Sequence, residues 1–202
     1  MKFDKYYFEK YALLTIADCL QLNRKNFKIQ DKPDIQNDVD SIGIEVTRAI
    51  TPHQGFTNAL TNKYFGKGKS GTAIKKEIEK GHPDFKGSVM TIDGDIAVIS
   101  PSKGMTDTQN HLIVARETIL YKDIKRKNYR KFDKNYLYLF LETLIFDDEE
   151  VIDFINEVVK IINYDGLYIN CIDRIFFYEN QAIEIFVITG QKLKEYKIEA
   201  QE

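Results

Sequence analysis

Two carboxylates, Asp34 and Glu45, lie in the stretch KPDIQNDVDSIGIEVTRA, residues 32–49, at a spacing that suits a shared site. A Pro-Asp pair, a polar turn and a β-rich run place them where neighbouring strands bring side chains together. Side chains alternate faces along a strand. Ile42, Ile44 and Val46 therefore form one apolar face, and Gly43, Glu45 and Thr47 form the other. A surface strand usually carries several polar residues on its wet side, whereas here one acid stands among small residues, as a pocket or metal site requires. Hard carboxylate oxygens suit Mg²⁺, which keeps several waters of its own. A metal so held lowers the pKa of bound water and offsets charge developing on a phosphate. The alternative is a turn-capping Asp and a rim Glu, since Asp38 and Asp40 show that acids are plentiful nearby. The clean apolar face opposite Glu45 favours the site.

A third acid is Glu9. The segment from Asp4 to Leu22 has no Gly or Pro and reads as a largely buried helix. At 3.6 residues per turn Glu9 aligns with Leu13, Ile16 and Leu20. Two readings stand side by side: an acid favoured by the dipole near a helix start and reaching water, or a carboxylate aimed inward at a site. Other chemistries are poorly supported. His53, His82 and His111 have no ligand spacing, and Cys19 and Cys171 have neither zinc nor disulfide spacing and read as buried thiols. The glycine-rich GKGKSG, residues 66–71, fails as a phosphate loop because the motif's first Gly would fall at Lys63. There is no Ser-centred elbow and no dinucleotide glycine fingerprint.

The elements that must position these acids follow from periodicity and punctuation. After the first helix come three short strands, Asn26 to Gln30, Pro33 to Gln36 and Ser41 to Arg48, the last ended by Thr51-Pro52. Residues 51–109 then read as an inserted lobe of two helices (Gln54 to Phe65, Thr72 to Lys80) and a hairpin turning at Asp93-Gly94-Asp95. His111 to Tyr129 is a helix with Ile113, Leu120 and Ile124 on one face. Asn135 to Glu142 reads as a central strand covered on both sides. Asp147 to Ile162 is an amphipathic helix opened by acids, and strands over 167–172, 174–178 and 182–189 finish the sheet. The expected fold is α/β (α+β): one domain, 1–202, with a mixed central sheet flanked by helices and 51–109 inserted.

This order, together with Pro33-Asp34, Glu45-Val46-Thr47 and the inward Glu9, resembles the PD-(D/E)XK nuclease superfamily, whose fold is restriction-endonuclease-like. The resemblance covers about residues 3–49 and resumes over 111–142. It implies hydrolysis of nucleic-acid phosphodiesters, DNA first, with Mg²⁺ or Mn²⁺ held by Asp34, Glu45 and the backbone carbonyl of Val46, and with Glu9 as an accessory acid. The family carries Lys two residues after the Glu; here that residue is Thr47. Lys122 or Lys125 on the later helix, or Lys63 in the lobe, are the candidate replacements. If none reaches the site, the resemblance implies an inactive nuclease-fold binding or regulatory protein of a mobile-element or defence system.

Composition is that of an ordinary globular chain, 43% hydrophobic and 30% charged, which argues against disorder. The net charge of -2 conceals an uneven distribution: basic residues dominate 63–86 and 116–134, and acids dominate from Glu142 onward. A basic middle suits a phosphate-bearing partner, although solvated helix faces produce charge runs too. No secretory leader or bilayer-length apolar run is read from the sequence, so a cytoplasmic protein without a membrane partner is expected. A homo-oligomer is compatible with everything above.

Overall fold

A computed structural model describes residues 5–50, 55, 59–60, 63, 70–81, 88–92, 95–100, 108–141 and 147–202. The chain divides into two compact units, one of residues 1–49 and 112–202, the other of residues 50–111.

The first unit is built on a seven-stranded mixed sheet whose order is β1 (Phe27–Ile29), β2 (Ile35–Asn37), β3 (Ile42–Ala49), β6 (Lys134–Leu141), β7 (Gly166–Cys171), β8 (Arg174–Glu179) and β9 (Ala182–Val187). Strands β1, β2 and β3 form an antiparallel meander. β3 then pairs in parallel with β6, and β6 with β7. β8 and β9 complete the sheet antiparallel. Parallel neighbours need a crossover, and helices supply it. The helix α3 (Thr108–Lys125) precedes β6, and α4 (Asp148–Val158) joins β6 to β7.

Burial follows strand parity. Ile42, Ile44 and Val46 pack with Tyr136, Tyr138 and Phe140 against α1 (Lys5–Cys19) and α5 (Gly190–Glu199). Ala49, Leu137, Leu139 and Leu141 face α3 and α4 on the other side. β6 is central, and residues 136–141 are buried on both faces, as its nearly continuous apolar run predicts.

The sequence misses two features. α5 follows the last strand, where no helix is expected: Thr189 caps it by accepting from Lys192 N, and only Tyr196 of the helix is deeply buried. With so little apolar periodicity, the signal is the Thr-Gly start followed by good helix formers. Tyr196 donates to Asp18, and Arg24 joins Asp18 to Glu199, which ties α5 to the end of α1. On α3, Ile113 and Ile124 stand exposed, while Ala115 and Ile119 enter the core. The seam runs through 115, 119 and 122 because small Ala115 lets the helix approach the sheet, and this seam carries Lys122 inward.

Gly43 shows how closely the meander packs. A Cβ there would lie 2.5 Å from Phe132 Cδ2 and 2.9 Å from Pro33 Cγ. Gly43→Ala is expected to cost about 1–3 kcal/mol of overpacking and to displace the Pro33-Asp34 turn. An unchanged denaturant midpoint would contradict that close approach.

In the second unit, α2 (Gly71–Gly81) buries Ile74 and Ile78, and β4 (Ser88–Ile92) and β5 (Asp95–Ser100) form a hairpin. Of the helix expected over 54–65, residues 55, 59, 60 and 63 are described and each is helical. The turn residues Asp93 and Gly94 lie outside the described residues, as does most of the 66–71 loop. Among the described residues, no helix is long and apolar enough to cross a membrane.

Candidate functional site

The short β2 creates the site. It pairs only with Ile42, Gly43 and Ile44, so among the described residues β3 runs on from Glu45 with no strand on that side. Asp34, immediately before β2, fills the gap: its Oδ2 accepts the Val46 N–H at 2.9 Å. In a strand, the N–H and C=O of one residue point to the same edge, so the Val46 carbonyl shares the edge occupied by Asp34. The turn carrying Asp34 is pinned from outside. Gln36 Nε2 donates to the Pro33 carbonyl at 3.1 Å, Arg130 N–H donates to the Lys32 carbonyl at 3.1 Å, and the Arg130 guanidinium donates to Gln36 Oε1 at 3.3 Å.

Glu45 points to the α3 side, and its side chain is 4% exposed. The room expected around it is filled. Its Oε1 accepts from Lys122 Nζ at 2.5 Å and from the Tyr129 hydroxyl at 3.1 Å. Glu9 is also buried, on α1, so of its two readings the structure realises the inward one. Lys5 Nζ lies 3.0 Å from Glu9 Oε1 and 3.0 Å from Asp34 Oδ1. Thr47 is half-buried on the Glu45 face. Lys125 instead stacks over Tyr121, and Lys63 belongs to the second unit, where it pairs with Glu77.

Asp34 is thus the hinge of the arrangement, with Glu9 and Lys5 on the α1 side and Glu45, Lys122 and Tyr129 on the α3 side. Sequence reasoning missed Lys5, although its i,i+4 spacing to Glu9 is readable on a helix. Tyr129, Gln36 and Arg130 carry no comparable signal. A small cleft is lined among others by Glu45, Pro33, Arg126, Tyr129, Arg130 and Tyr164. Among the described residues, no three His, Cys, Asp or Glu side chains form a group that could hold a metal ion.

Electrostatics follow from burial. Desolvation, and then the charge of Asp34, hold the Glu45 carboxyl above the ordinary carboxylate range against the pull of Lys122 and Tyr129. Desolvation likewise raises Glu9, with Lys5 opposing and Asp34 adding. Desolvation pulls the Lys5 ammonium down, but its bonds to Asp34 and Glu9 outweigh this and raise its pKa. Burial and the Glu45 charge raise the Tyr129 phenol, so it donates as a neutral hydroxyl.

A carboxyl raised in the folded state contributes stability that is complete below its unfolded pKa and lost as pH rises through the folded value. Glu45→Gln mimics the protonated form. Its melting temperature is therefore expected to gain on wild type as pH rises from 5 to 8 in metal-free buffer. A constant difference across that range would contradict the raised Glu45.

No protein-family model, curated protein or solved structure significantly matches the chain.

Proposed function

We propose that the chain is a divalent-metal-dependent nuclease that hydrolyses phosphodiesters of nucleic acid, DNA first, on a divergent PD-(D/E)XK scaffold. The observation that carries this reading is the supply of Lys122 to Glu45 from α3, which brings a cation to the acid whose own strand offers only Thr47. The order of α1, an antiparallel meander, a helix and a strand parallel to β3 supports the same scaffold.

The donor types suit a small hard ion: Asp34 lies against the middle of β3 at Val46, where Glu45 and the Val46 carbonyl also belong. Mg²⁺ is held by one or two carboxylates with water completing its shell, so three protein acids around one point are not needed. The buried Glu9 Oε1, which accepts no well-formed hydrogen bond, is a further oxygen for the first or outer shell. A divalent ion held by Asp34, Glu45 and the Val46 carbonyl would supply Lewis acidity toward the phosphate and a bound water of lowered pKa. Lys122 orients Glu45 and places positive charge where the phosphate gains negative charge. Arg126 and Arg130, beside the cleft, suit flanking phosphates.

The test is a cleavage assay of the purified protein on single- and double-stranded DNA and on RNA with Mg²⁺, Mn²⁺ or EDTA. Metal-dependent cleavage that EDTA stops is the expected result. No cleavage of any substrate with either metal would overturn it. A second reading rests on the capped state of Glu45, whose Oε1 already holds both Lys122 and Tyr129. On that reading the chain binds nucleic acid without turnover, as a regulatory factor of a mobile-element or defence system. It predicts salt-sensitive DNA retention without products.

A further inference from the structure

On the α1 side of Asp34, a cation position is already filled by the chain itself. Asp34 Oδ2 is committed to the Val46 N–H, which leaves Oδ1 to face Lys5. Glu9 Oε1 faces the same ammonium at 3.0 Å, yet no contact to it has hydrogen-bond geometry. One ammonium therefore bridges two buried carboxylates. The Lys5 side chain is 70% exposed, whereas the two acids it bridges are 7% and 5% exposed. Its stem is free to swing outward; the acids are not.

We propose that Lys5 is a resident counter-cation of this acid cluster, and that the hard divalent ion of the Asp34 site, with Glu9 in its first or outer shell, loads by displacing it. The inference rests on the metal-site reading above and adds the loading step. Charge balance supports it. Glu9, Asp34 and Glu45 carry three negative charges when ionised, against one each on Lys5 and Lys122. Exchanging Lys5 for a divalent ion brings the sum to zero. Lys122 is the unsuitable leaving group, since its side chain is only 22% exposed and lies along the buried seam of α3. The exchange needs only a rotamer change in a long, solvated side chain. It also makes metal affinity weaker than the bare acids would give, so that Lys5 sets the concentration at which the site fills.

The test is calorimetric titration of Mn²⁺ into wild type, Lys5→Met, Lys5→Gln and Lys5→Arg, with the rise in melting temperature on Mn²⁺ addition as a second readout. Lys5→Met and Lys5→Gln are expected to bind Mn²⁺ roughly tenfold more tightly than wild type and to melt lower without metal. Lys5→Arg, which keeps the charge, is expected to bind as wild type does. Equal affinity across all four proteins would overturn the displacement while leaving the metal site in place. No Mn²⁺ binding to any of them would overturn both. Tight binding that survives Asp34→Asn in the Lys5→Met background would put the ion elsewhere and also overturn the proposal. Should Lys5→Met fold poorly, Lys5→Gln against Lys5→Arg makes the same comparison.

Discussion

Asp34→Asn is expected to fold as wild type does and to lose metal-dependent cleavage by roughly a hundredfold to a thousandfold. The substitution separates the two jobs of this residue. An asparagine oxygen still accepts the Val46 N–H, so the 2.9 Å bond that closes the gap beside β3 survives. The neutral amide, however, is a poor ligand for a hard divalent ion, and it gives Lys5 nothing to pair with. Circular dichroism and melting should therefore change little while single-turnover cleavage collapses. Glu45→Gln should lose cleavage alike, while its melting temperature also moves with pH because its pairing with Lys122 is altered. If both acids serve one ion, the double variant should be little slower than either single one, because residues acting as a unit are not additive. Wild-type rates in both single variants would remove the site from Asp34 and Glu45.

Lys122→Met is expected to lower both activity and stability, which sets it apart from Asp34→Asn. Removing the ammonium leaves a buried carboxylate with the Tyr129 hydroxyl alone. A fully buried pair broken in this way costs about 3–5 kcal/mol, and an exposed one about 0–1. Lys122 lies between these limits, and about 2 kcal/mol is expected. Glu45 already sits above the ordinary carboxylate range through burial and the charge of Asp34. Without Lys122 it holds its proton to higher pH, so the alkaline shift of the pH–rate profile reports the pair directly. Lys122→Arg should restore part of the profile, because it returns the charge in a bulkier form. A profile unmoved by Lys122→Met would reduce Lys122 to a packing residue.

The sheet was largely legible because its signals are local. The alternation of β3 gives the correct parity for Ile44 and Glu45, and the apolar run of β6 marks the centre of the sheet. What lay beyond the sequence was which partner each face would meet. On α3 the larger apolar residues point to the face of Ile113 and Ile124, but the sheet selects the face with the small Ala115, and with it Lys122. Glu45 looked roomy because its strand neighbours are small. The groups that fill its surroundings come from residues 122 and 129, far along the chain. Lys5 is hidden in the sequence for the opposite reason: its pairing with Glu9 is local and looks like an ordinary surface contact, and only the fold brings Asp34 to the same ammonium.

The insertion between β3 and α3 also imposes an order in time. Glu9, Asp34, Glu45 and Val46 all belong to the first 49 residues, whereas Lys122 follows the whole of the second unit. On a ribosome, α1 and the meander emerge first, and the parallel ladder to β6 must wait. Spanning a long insertion adds little closure entropy, about 0.6 kcal/mol per doubling of loop length, so the delay matters more than its energetic cost. Lys5, which bridges Glu9 and Asp34 in the folded protein, is made with the acids, whereas Lys122 comes only after the second unit.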